Sequence, residues 1–193
     1  MITSKADYHH YLERDKVALR IKSNTVITKF TTTLFPNSIL KFQRTMRKLE
    51  YYTNCKNSGL GKLYIYYLKY KFRNISLKNG FSIPINVFGP GLCIVHYGTI
   101  VINRNAKIGS NCRIHACVNI GASGGNKGAP QIGDNVYIAP GAKIYGNITI
   151  ANNIAIGANA VVNKSFDQEN IVIGGVPAQH IGDIDIKNII KHI

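Results

Sequence analysis

Aliphatic side chains recur at every sixth position through the central part of the chain. One series consists of Ile102, Ile108, Ile114, Ile120, Ile132, Ile138, Ile144, Ile150, Ile156 and Val162. A second consists of Ile94, Ile100, Ala106, Cys112, Val118, Val136, Ala142, Ile148, Ile154 and Ala160. A period of six matches neither an amphipathic α-helix nor a half-buried strand, and it is typical of parallel β-helices, whose short strands stack coil upon coil. The pattern predicts an all-β core in which both series point inward.

The stretch between Ile120 and Ile132 keeps the phase of the repeat but has no aliphatic residue at its middle position. It is rich in glycine, so residues 121–131 are expected to leave the coil as a loop. Long loops in compact domains usually carry function.

The first 80 residues have a helical pattern instead. Ser4 with Asp7 resembles a capping box at the start of a first helix, and Pro36 begins a second that runs to about Tyr52. A third helix is expected from Lys62 to Phe72. The chain is therefore divided into a basic helical segment (1–80), a β-helix (81–182) and a C-terminal tail (183–193).

Positive charge is concentrated in the helical segment. Residues 1–80 contain sixteen Lys and Arg but only four Asp and Glu, so they supply +12 of the formal net charge of +15. The aromatic residues of the third helix either pack against the β-helix or meet a lipid or polyanion surface. Without a nucleic-acid-binding motif, charge alone is weak evidence for nucleic acid. Peripheral contact with a membrane surface that carries lipid-linked sugars, or contact with an acidic glycan, is an equally natural role for this segment.

Two further features limit the location and the cofactors of the protein. There is no apolar run of the roughly 20 residues needed to cross a bilayer, nor a signal peptide at Met1, so a cytoplasmic protein is expected. The four cysteines form no C-x-x-C pair, and the repeat contains only His96 and His115 as histidines. We therefore expect reduced cysteines and no metal site.

His96 is the first candidate for chemistry. It lies six residues before Ile102, so it is expected at an inward position where the repeat has exchanged an aliphatic residue for an imidazole. Polar residues that break a structural pattern are often functional. His115 follows the inward Ile114 and is expected on the outer surface, either assisting His96 across a subunit boundary or simply solvated.

The residues around His96 resemble a known family. The run Gly91 to Ile102, the glycine-rich loop and the closing Gly174-Gly175-Val176-Pro177-Ala178 are similar to hexapeptide-repeat acyltransferases of the serine acetyltransferase type. Within that group the chain resembles most the sugar and polysaccharide O-acetyltransferases. The resemblance implies a left-handed β-helix, a homotrimer with active sites between subunits, acetyl-CoA as donor, and His96 as the general base.

The resemblance also implies which residues hold the donor. The positions that correspond to its pantetheine groove and nucleotide end are Gly121, Ala139, Gly157, Ala158, Lys164, Gly175 and Pro177. Small residues let backbone N–H groups approach a ligand, and a lysine can pair with phosphate.

Three departures from the serine-specific members bear on the acceptor. Val95 stands where those members have an aspartate, Phe81 where they have a second carboxylate, and Ala129 where they have a histidine. A zwitterion without charged partners in a closed site is costly. The sequence therefore favours an O-acetyltransferase acting on a sugar hydroxyl of a surface-polysaccharide precursor, with serine O-acetyltransferase of cysteine biosynthesis as the alternative.

Overall fold

The computed structural model describes residues 1–21, 37–125 and 127–193. Three α-helices come first: α1 (Lys5–Ala18), α2 (Ser38–Cys55) and α3 (Gly59–Asn79). The strands that follow are β1 (Phe81–Ser82), β2 (Cys93–Ile94), β3 (Ile100–Ile102), β4 (Lys107–Ile108), β5 (Arg113–Ile114), β6 (Asn119–Gly121), β7 (Gln131–Ile132), β8 (Tyr137–Ile138), β9 (Lys143–Tyr145), β10 (Thr149–Ile150), β11 (Ala155–Ile156), β12 (Val161–Val162), β13 (Ile171–Gly175) and β14 (Ala178–Asp183). A short 3-10 helix spans Ile186–Asn188.

The strands form the three faces of a left-handed parallel β-helix, as predicted. Face A contains β1, β3, β6, β9 and β12. Face B contains β4, β7 and β10, and face C contains β2, β5, β8, β11 and β13 with β14 antiparallel at its edge. Each strand pairs in parallel with the strand one coil away, so the short segments are hydrogen-bonded along the prism instead of within a coil.

The inward series forms the core of the prism. Ile114, Ile120, Ile138, Ile144 and Ile156 all have fully buried side chains, and they belong to one continuous apolar cluster. The smaller residues of the second series, such as Ala106, Cys112 and Ala142, are buried as well. Alternation of bulky and small inward residues fills a narrow prism without voids.

Two helices extend beyond their predicted C-terminal ends, since α2 ends at Cys55 and α3 at Asn79. Ser4 caps α1 by accepting a hydrogen bond from the Asp7 amide, but the Asp7 carboxylate accepts from Thr3 instead of completing the reciprocal box with Ser4. Those hydrogen bonds from Thr3 lower the pKa of Asp7 to about 2. α3 continues beyond Phe72 to Asn79. Gly80 caps its C-terminus with a φ of 74°, a left-handed conformation that suits glycine. The expected start of α2 at Pro36 lies outside the described residues.

A buried ionic cluster of Asp15, Arg47 and Glu50 joins the helices to the first coil. The fully buried Arg47 donates to the Asp15 carboxylate at 2.9 Å, to Glu50 at 3.0 Å, and to the carbonyl oxygens of Phe88 and Gly89. Burial disfavours the guanidinium cation, but the two carboxylates outweigh it and raise the pKa of Arg47. The helical segment is thus packed against the β-helix.

The polar cluster also satisfies backbone groups of the first coil. Asp15 accepts from the amides of Gly91 and Leu92, each at 2.9 Å, and Glu50 accepts from the Asn86 amide at 2.8 Å. These groups have no coil above them with which to pair, so α1 and α2 close this end of the prism.

Residues after β14 cover part of face C. Ile186 and Ile190 are buried against Ala155, and Tyr137 and Val172 border the same cluster. The C-terminal residues therefore pack on the β-helix instead of extending away from it.

Candidate active site

His96 lies on an enlarged corner of the β-helix. Ile94 pairs with Ile114 and Ile102 pairs with Ile120, so the two coils are in register on both sides of this corner. Between the flanking strands, however, Val95–Thr99 take the place of the three residues 115–117 one coil below. The corner is two residues longer, and the extra length carries His96 and Tyr97 outward.

The prediction that His96 occupies an inward position was therefore wrong. His96 is exposed, and the inward positions of that coil are taken by Leu92 and Ile94. Counting back in sixes from Ile102 crosses the two-residue insertion and shifts the phase by two. The shift places an imidazole at the surface, where a substrate can reach it.

The two repeat histidines approach each other within one chain. The ring centroids of His96 and His115 are 6.0 Å apart, and His115 makes an edge-on contact with Tyr137 at 5.3 Å. Within the described part of the chain, Nε2 of His115 is buried without a hydrogen-bond partner. Desolvation, the Arg113 cation and His96 together lower the pKa of His115, so its ring is neutral near pH 7.

The corner that holds these histidines, the histidine corner, continues along the prism between faces C and A. Its residues Val95, His115, Ala139 and Gly157 follow successive strands of face C, and each donates its amide hydrogen to the carbonyl of the next coil at 2.8 to 3.1 Å. Gly174 follows Ile173 at the next level. A straight line of small residues therefore leads away from the two imidazoles.

Five of the residues predicted to bind the donor lie along the histidine corner. Ala139 and Gly157 belong to the column itself, Ala158 is the exposed residue after it, and Gly175 and Pro177 form the turn between β13 and β14. Gly175 has a φ of 99°, which an L-residue rarely adopts.

The other two predicted donor residues lie on a different corner. Gly121 ends β6 and Lys164 follows β12, so both belong to the corner after face A. Gly121 accepts a hydrogen bond from the Gly146 amide, and Lys164 donates to Gln179 in β14 at 2.8 Å. A single chain does not bring Gly121 next to His96.

The three residues that depart from the serine-specific pattern differ in how close they lie to the histidine corner. Ala129 is 2% exposed and packs in the core beneath the loop, and Phe81 is buried against Phe42. Neither side chain reaches the histidine corner. Only Val95, half-buried beside His96, lies where it can influence an acceptor.

Sequence analysis missed two supports of the site. Tyr137 stands one coil below Arg113 and packs on His115, and the Asn79 carbonyl accepts a hydrogen bond from the Gly98 amide at 2.9 Å within the enlarged corner. Tyr137 could have been found by aligning the coils across the loop. The Asn79 contact depends on how α3 packs against the β-helix, which the spacing of the hexapeptide repeat does not predict.

Among the described residues, no group of three or more His, Cys, Asp or Glu side chains is placed to hold a metal ion. The searched helices also include none that is long and apolar enough to cross a membrane.

Comparison with known proteins relates the chain to hexapeptide-repeat transferases. A model of the bacterial transferase hexapeptide (six repeats) family matches residues 129–164. Serine acetyltransferase from Staphylococcus xylosus is 46% identical over 88 residues, which are 45% of this chain and 41% of that protein. The chain therefore matches about two fifths of the length of its curated relatives.

Solved structures match over a larger part of the chain. The crystal structure of serine acetyltransferase from Brucella abortus strain S19 in complex with coenzyme A has a TM-score of 0.70 and 27% identity, covering 94% of this chain and 70% of that one. Another structure of the Brucella abortus enzyme has a TM-score of 0.68 and 25% identity, with coverage of 94% and 72%.

These relatives overturn the expected sugar acceptor. That expectation was wrong, because the curated and structural relatives are serine acetyltransferases. The structure explains the error in part: Ala129 and Phe81 are core residues here, so their lack of charge says little about an acceptor pocket.

Proposed function

We propose that this protein is an acetyl-CoA-dependent serine O-acetyltransferase with His96 as its general base. The observation that carries the proposal is the approach of two imidazoles on one corner of the β-helix, in a chain similar to serine acetyltransferases. The small residues that continue from this corner offer a groove for the donor, and a relative of the same fold is known in complex with coenzyme A.

The reaction requires one proton to move from oxygen to sulfur. His96 removes the proton of the serine hydroxyl while the hydroxyl oxygen attacks the thioester carbonyl. The C–S bond then breaks, the imidazolium returns the proton to the leaving sulfur, and O-acetylserine and coenzyme A are formed. Backbone N–H groups at the glycine-rich turns can stabilise the developing oxyanion.

His115 is proposed as a positioning residue beside the base. Its lowered pKa keeps it neutral, so it adds no second positive charge next to an imidazole that must gain a proton. Tyr137 packs edge-on against its ring and limits its rotation.

We further propose that the active site is completed in a homotrimer. The predicted donor residues lie on two different corners of one prism, with Gly121 and Lys164 away from His96. In a closed three-fold ring, one corner of each prism can face a different corner of its neighbour. Such a ring would unite the two sets of residues in one groove.

Thiol release tests the activity directly. The 193-residue chain is incubated with acetyl-CoA and L-serine, release of free thiol is followed, and acetylated serine is identified by mass spectrometry. L-alanine, which lacks the hydroxyl, is the matched control and should give no release above the hydrolysis background. Because Val95 offers no charge to the ammonium group, we expect a high KM for serine rather than a low kcat.

Binding of acetyl-CoA measured by calorimetry, without any serine-dependent thiol release, would refute serine as acceptor and leave the donor assignment intact. Failure to bind acetyl-CoA at all would refute the whole proposal.

A further inference from the structure

One face of α3, the outward face, consists of large apolar and aromatic side chains that are mostly exposed, and their ring contacts within the described structure are with other residues of α3. Its members and their exposed fractions are Leu63 (69%), Tyr66 (62%), Tyr67 (53%), Tyr70 (68%) and Leu77 (70%). On the opposite side of the same helix, Ile65, Leu68 and Ile75 are buried. The helix therefore has two apolar sides, and only one of them is needed for the fold.

The spacing of the outward face follows one side of a helix. Its residues are separated by three, four or seven positions along the chain, apart from the adjacent Tyr66 and Tyr67, so Leu63 to Tyr70 form a stripe that Leu77 extends beyond Asn74. Exposed large apolar residues scattered singly need no explanation, but a contiguous stripe marks an interaction site.

Basic residues border the stripe on both sides. At 100° per residue, Lys62, Lys69 and Arg73 lie along one edge, while Lys71 and Lys78 lie along the other. The helix contains no Asp or Glu. The ammonium group of Lys69 lies 5.5 Å from the centre of the Tyr66 ring, so charge and aromatic surface are adjacent.

The basic borders and the apolar stripe of the outward face favour an anionic bilayer over a second copy of this chain as its binding partner. A second copy of the same face would bring two rows of positive charge together without any carboxylate from α3 to offset them, which is unfavourable. An anionic bilayer can contact every group of the outward face. Lipid phosphates pair with the basic residues, tyrosines favour the depth of the headgroup interface, and leucines insert at the boundary of the acyl chains.

We propose that the outward face of α3 docks on an anionic lipid surface, with the helix lying in the plane of the interface. α3 packs on α2, and the buried Asp15–Arg47–Glu50 cluster joins α2 to the first coil of the β-helix. Docking would therefore anchor the candidate active site at a membrane surface without a spanning segment.

Sedimentation with vesicles tests this proposal on the full chain. The protein is mixed with phosphatidylcholine vesicles that contain or lack phosphatidylglycerol. Binding is expected only to the anionic vesicles and should weaken as salt rises. Two triple variants separate the contributions: Leu63→Gln/Tyr70→Gln/Leu77→Gln removes apolar contacts, and Lys62→Gln/Lys69→Gln/Arg73→Gln removes charge.

Each triple variant should reduce vesicle partitioning strongly. Loss of three basic residues near the surface corresponds to about a 100-fold decrease, and loss of the apolar contacts to at least about tenfold. The matched control is Arg104→Gln/Lys187→Gln/Lys191→Gln, which removes the same charge from exposed positions outside α3. It should bind anionic vesicles more strongly than the basic triple variant of α3 does. Circular dichroism and thiol release verify that the variants are folded.

A fluorescent probe gives a test that does not depend on removing contacts. The chain contains no tryptophan, so Tyr70→Trp introduces a single one on the outward face. Its emission should move to shorter wavelength with anionic vesicles, while that of Val101→Trp on the β-helix should not.

Three outcomes would overturn the proposal. Binding that depends on charge but not on the apolar stripe, with no shift of the probe, would indicate diffuse electrostatic adsorption. A change in oligomer mass in the apolar variant, without a change in vesicle binding, would identify the face as a protein interface. Tight binding to single-stranded oligonucleotide that requires the stripe, without vesicle binding, would identify a nucleic-acid surface.

Discussion

The proposed role of His96 as general base depends on its local backbone. The two extra residues of its corner carry the imidazole into solvent, and the hydrogen bond from Gly98 to the Asn79 carbonyl holds the enlarged turn against the end of α3. A base at the surface can exchange its proton with water after each turnover, whereas an inward histidine would be sealed in an aliphatic core. The exposed position is therefore the one compatible with general-base catalysis.

We expect His96→Ala to lower kcat by about 10² to 10⁴, because removal of a general base has that typical cost. Acetyl-CoA binding should remain within about twofold, since the proposed donor groove lies further along the histidine corner. His9→Ala, at an exposed position of α1, is the control and should be unchanged. Thiol release and calorimetry measure the two effects.

The opposite pattern would reassign the base. If folded His115→Ala loses turnover and His96→Ala keeps at least half of it, then His115 removes the proton. A smaller loss of kcat in His115→Ala, without loss of donor binding, agrees with its positioning role.

The pKa of His115 also predicts a dependence of stability on pH. Burial, Arg113 and His96 lower this pKa below the ordinary value of 6.5, so near that pH the unfolded chain binds a proton that the folded chain does not. The free energy of unfolding should therefore decrease as the pH falls from 6.5 toward the lowered pKa. His192, whose pKa is lowered by burial and by Arg14, Arg20 and Arg113, acts in the same direction.

Urea denaturation at several pH values measures this slope. His115→Gln and His192→Gln should each flatten it. An unaltered slope in the double variant His115→Gln/His192→Gln would show that other groups cause the loss of stability below pH 6.5.

The corner between faces B and C depends on an asparagine ladder. Asn111, Asn135 and Asn153 all have φ near 57° and stack one coil apart. The Asn111 amide donates to Asn135 at 2.8 Å, and the Asn135 amide donates to Asn153 at 2.9 Å. Asparagine tolerates this left-handed conformation better than most residues, and its side chain bonds the coils together.

Two substitutions at Asn135 separate these contributions. Asn135→Gly keeps the backbone conformation but removes the side-chain bonds, at an expected cost of about 1 to 3 kcal/mol. Asn135→Ala removes the bonds and also forces a Cβ into the left-handed region, which adds about 1 to 2 kcal/mol. Urea denaturation measures both, with the exposed Asn163→Ala as control. Equal stability of the glycine and alanine variants would contradict the conformational argument.

Docking of the helices depends on Arg47. Arg47→Met leaves Asp15 and Glu50 buried without their cationic partner, so we expect a loss of about 3 to 5 kcal/mol. Arg44→Met, on the exposed side of the same helix, should change stability by less than about 0.5 kcal/mol. The free energy of unfolding from urea titration compares them, and similar losses in both variants would mean that the cluster is not essential.

The whole molecule is polarised along its length. Most of the net positive charge and the outward face of α3 belong to the helical end, while the candidate donor groove runs along the β-helix. The proposed lipid docking through α3 and the proposed catalysis along the β-helix are compatible with a homotrimer in which the β-helices form the contacts around the three-fold axis and the helices do not.

Sedimentation velocity should give three times the 21.3 kDa mass of the chain at micromolar concentration. If active sites form between subunits, His96→Ala and Gly121→Leu chains refolded together should regain part of the activity that each lacks alone. A monomer, or a mixture without regained activity, would refute the shared site.

The hexapeptide repeat by itself determined the β-helix and its inward residues apart from His96, and it predicted a loop near residues 121–131. This was possible because each coil contacts only its neighbours, so a local period translates directly into a stacked structure. The three helices were also predictable, since their apolar spacing is local. The family resemblance assigned candidate roles to the histidines and to the proposed donor residues.

Only the tertiary structure decided the surroundings of those positions. His96 is outside because two extra residues shift one corner, and that shift is visible only when Ile94 is seen to pair with Ile114. Ala129 and Phe81 are core residues because of how the loop and α3 pack, and the outward face of α3 is free because Ile65, Leu68 and Ile75 bury its other side. Burial and proximity arise from contacts between residues distant in sequence, which a local period does not encode.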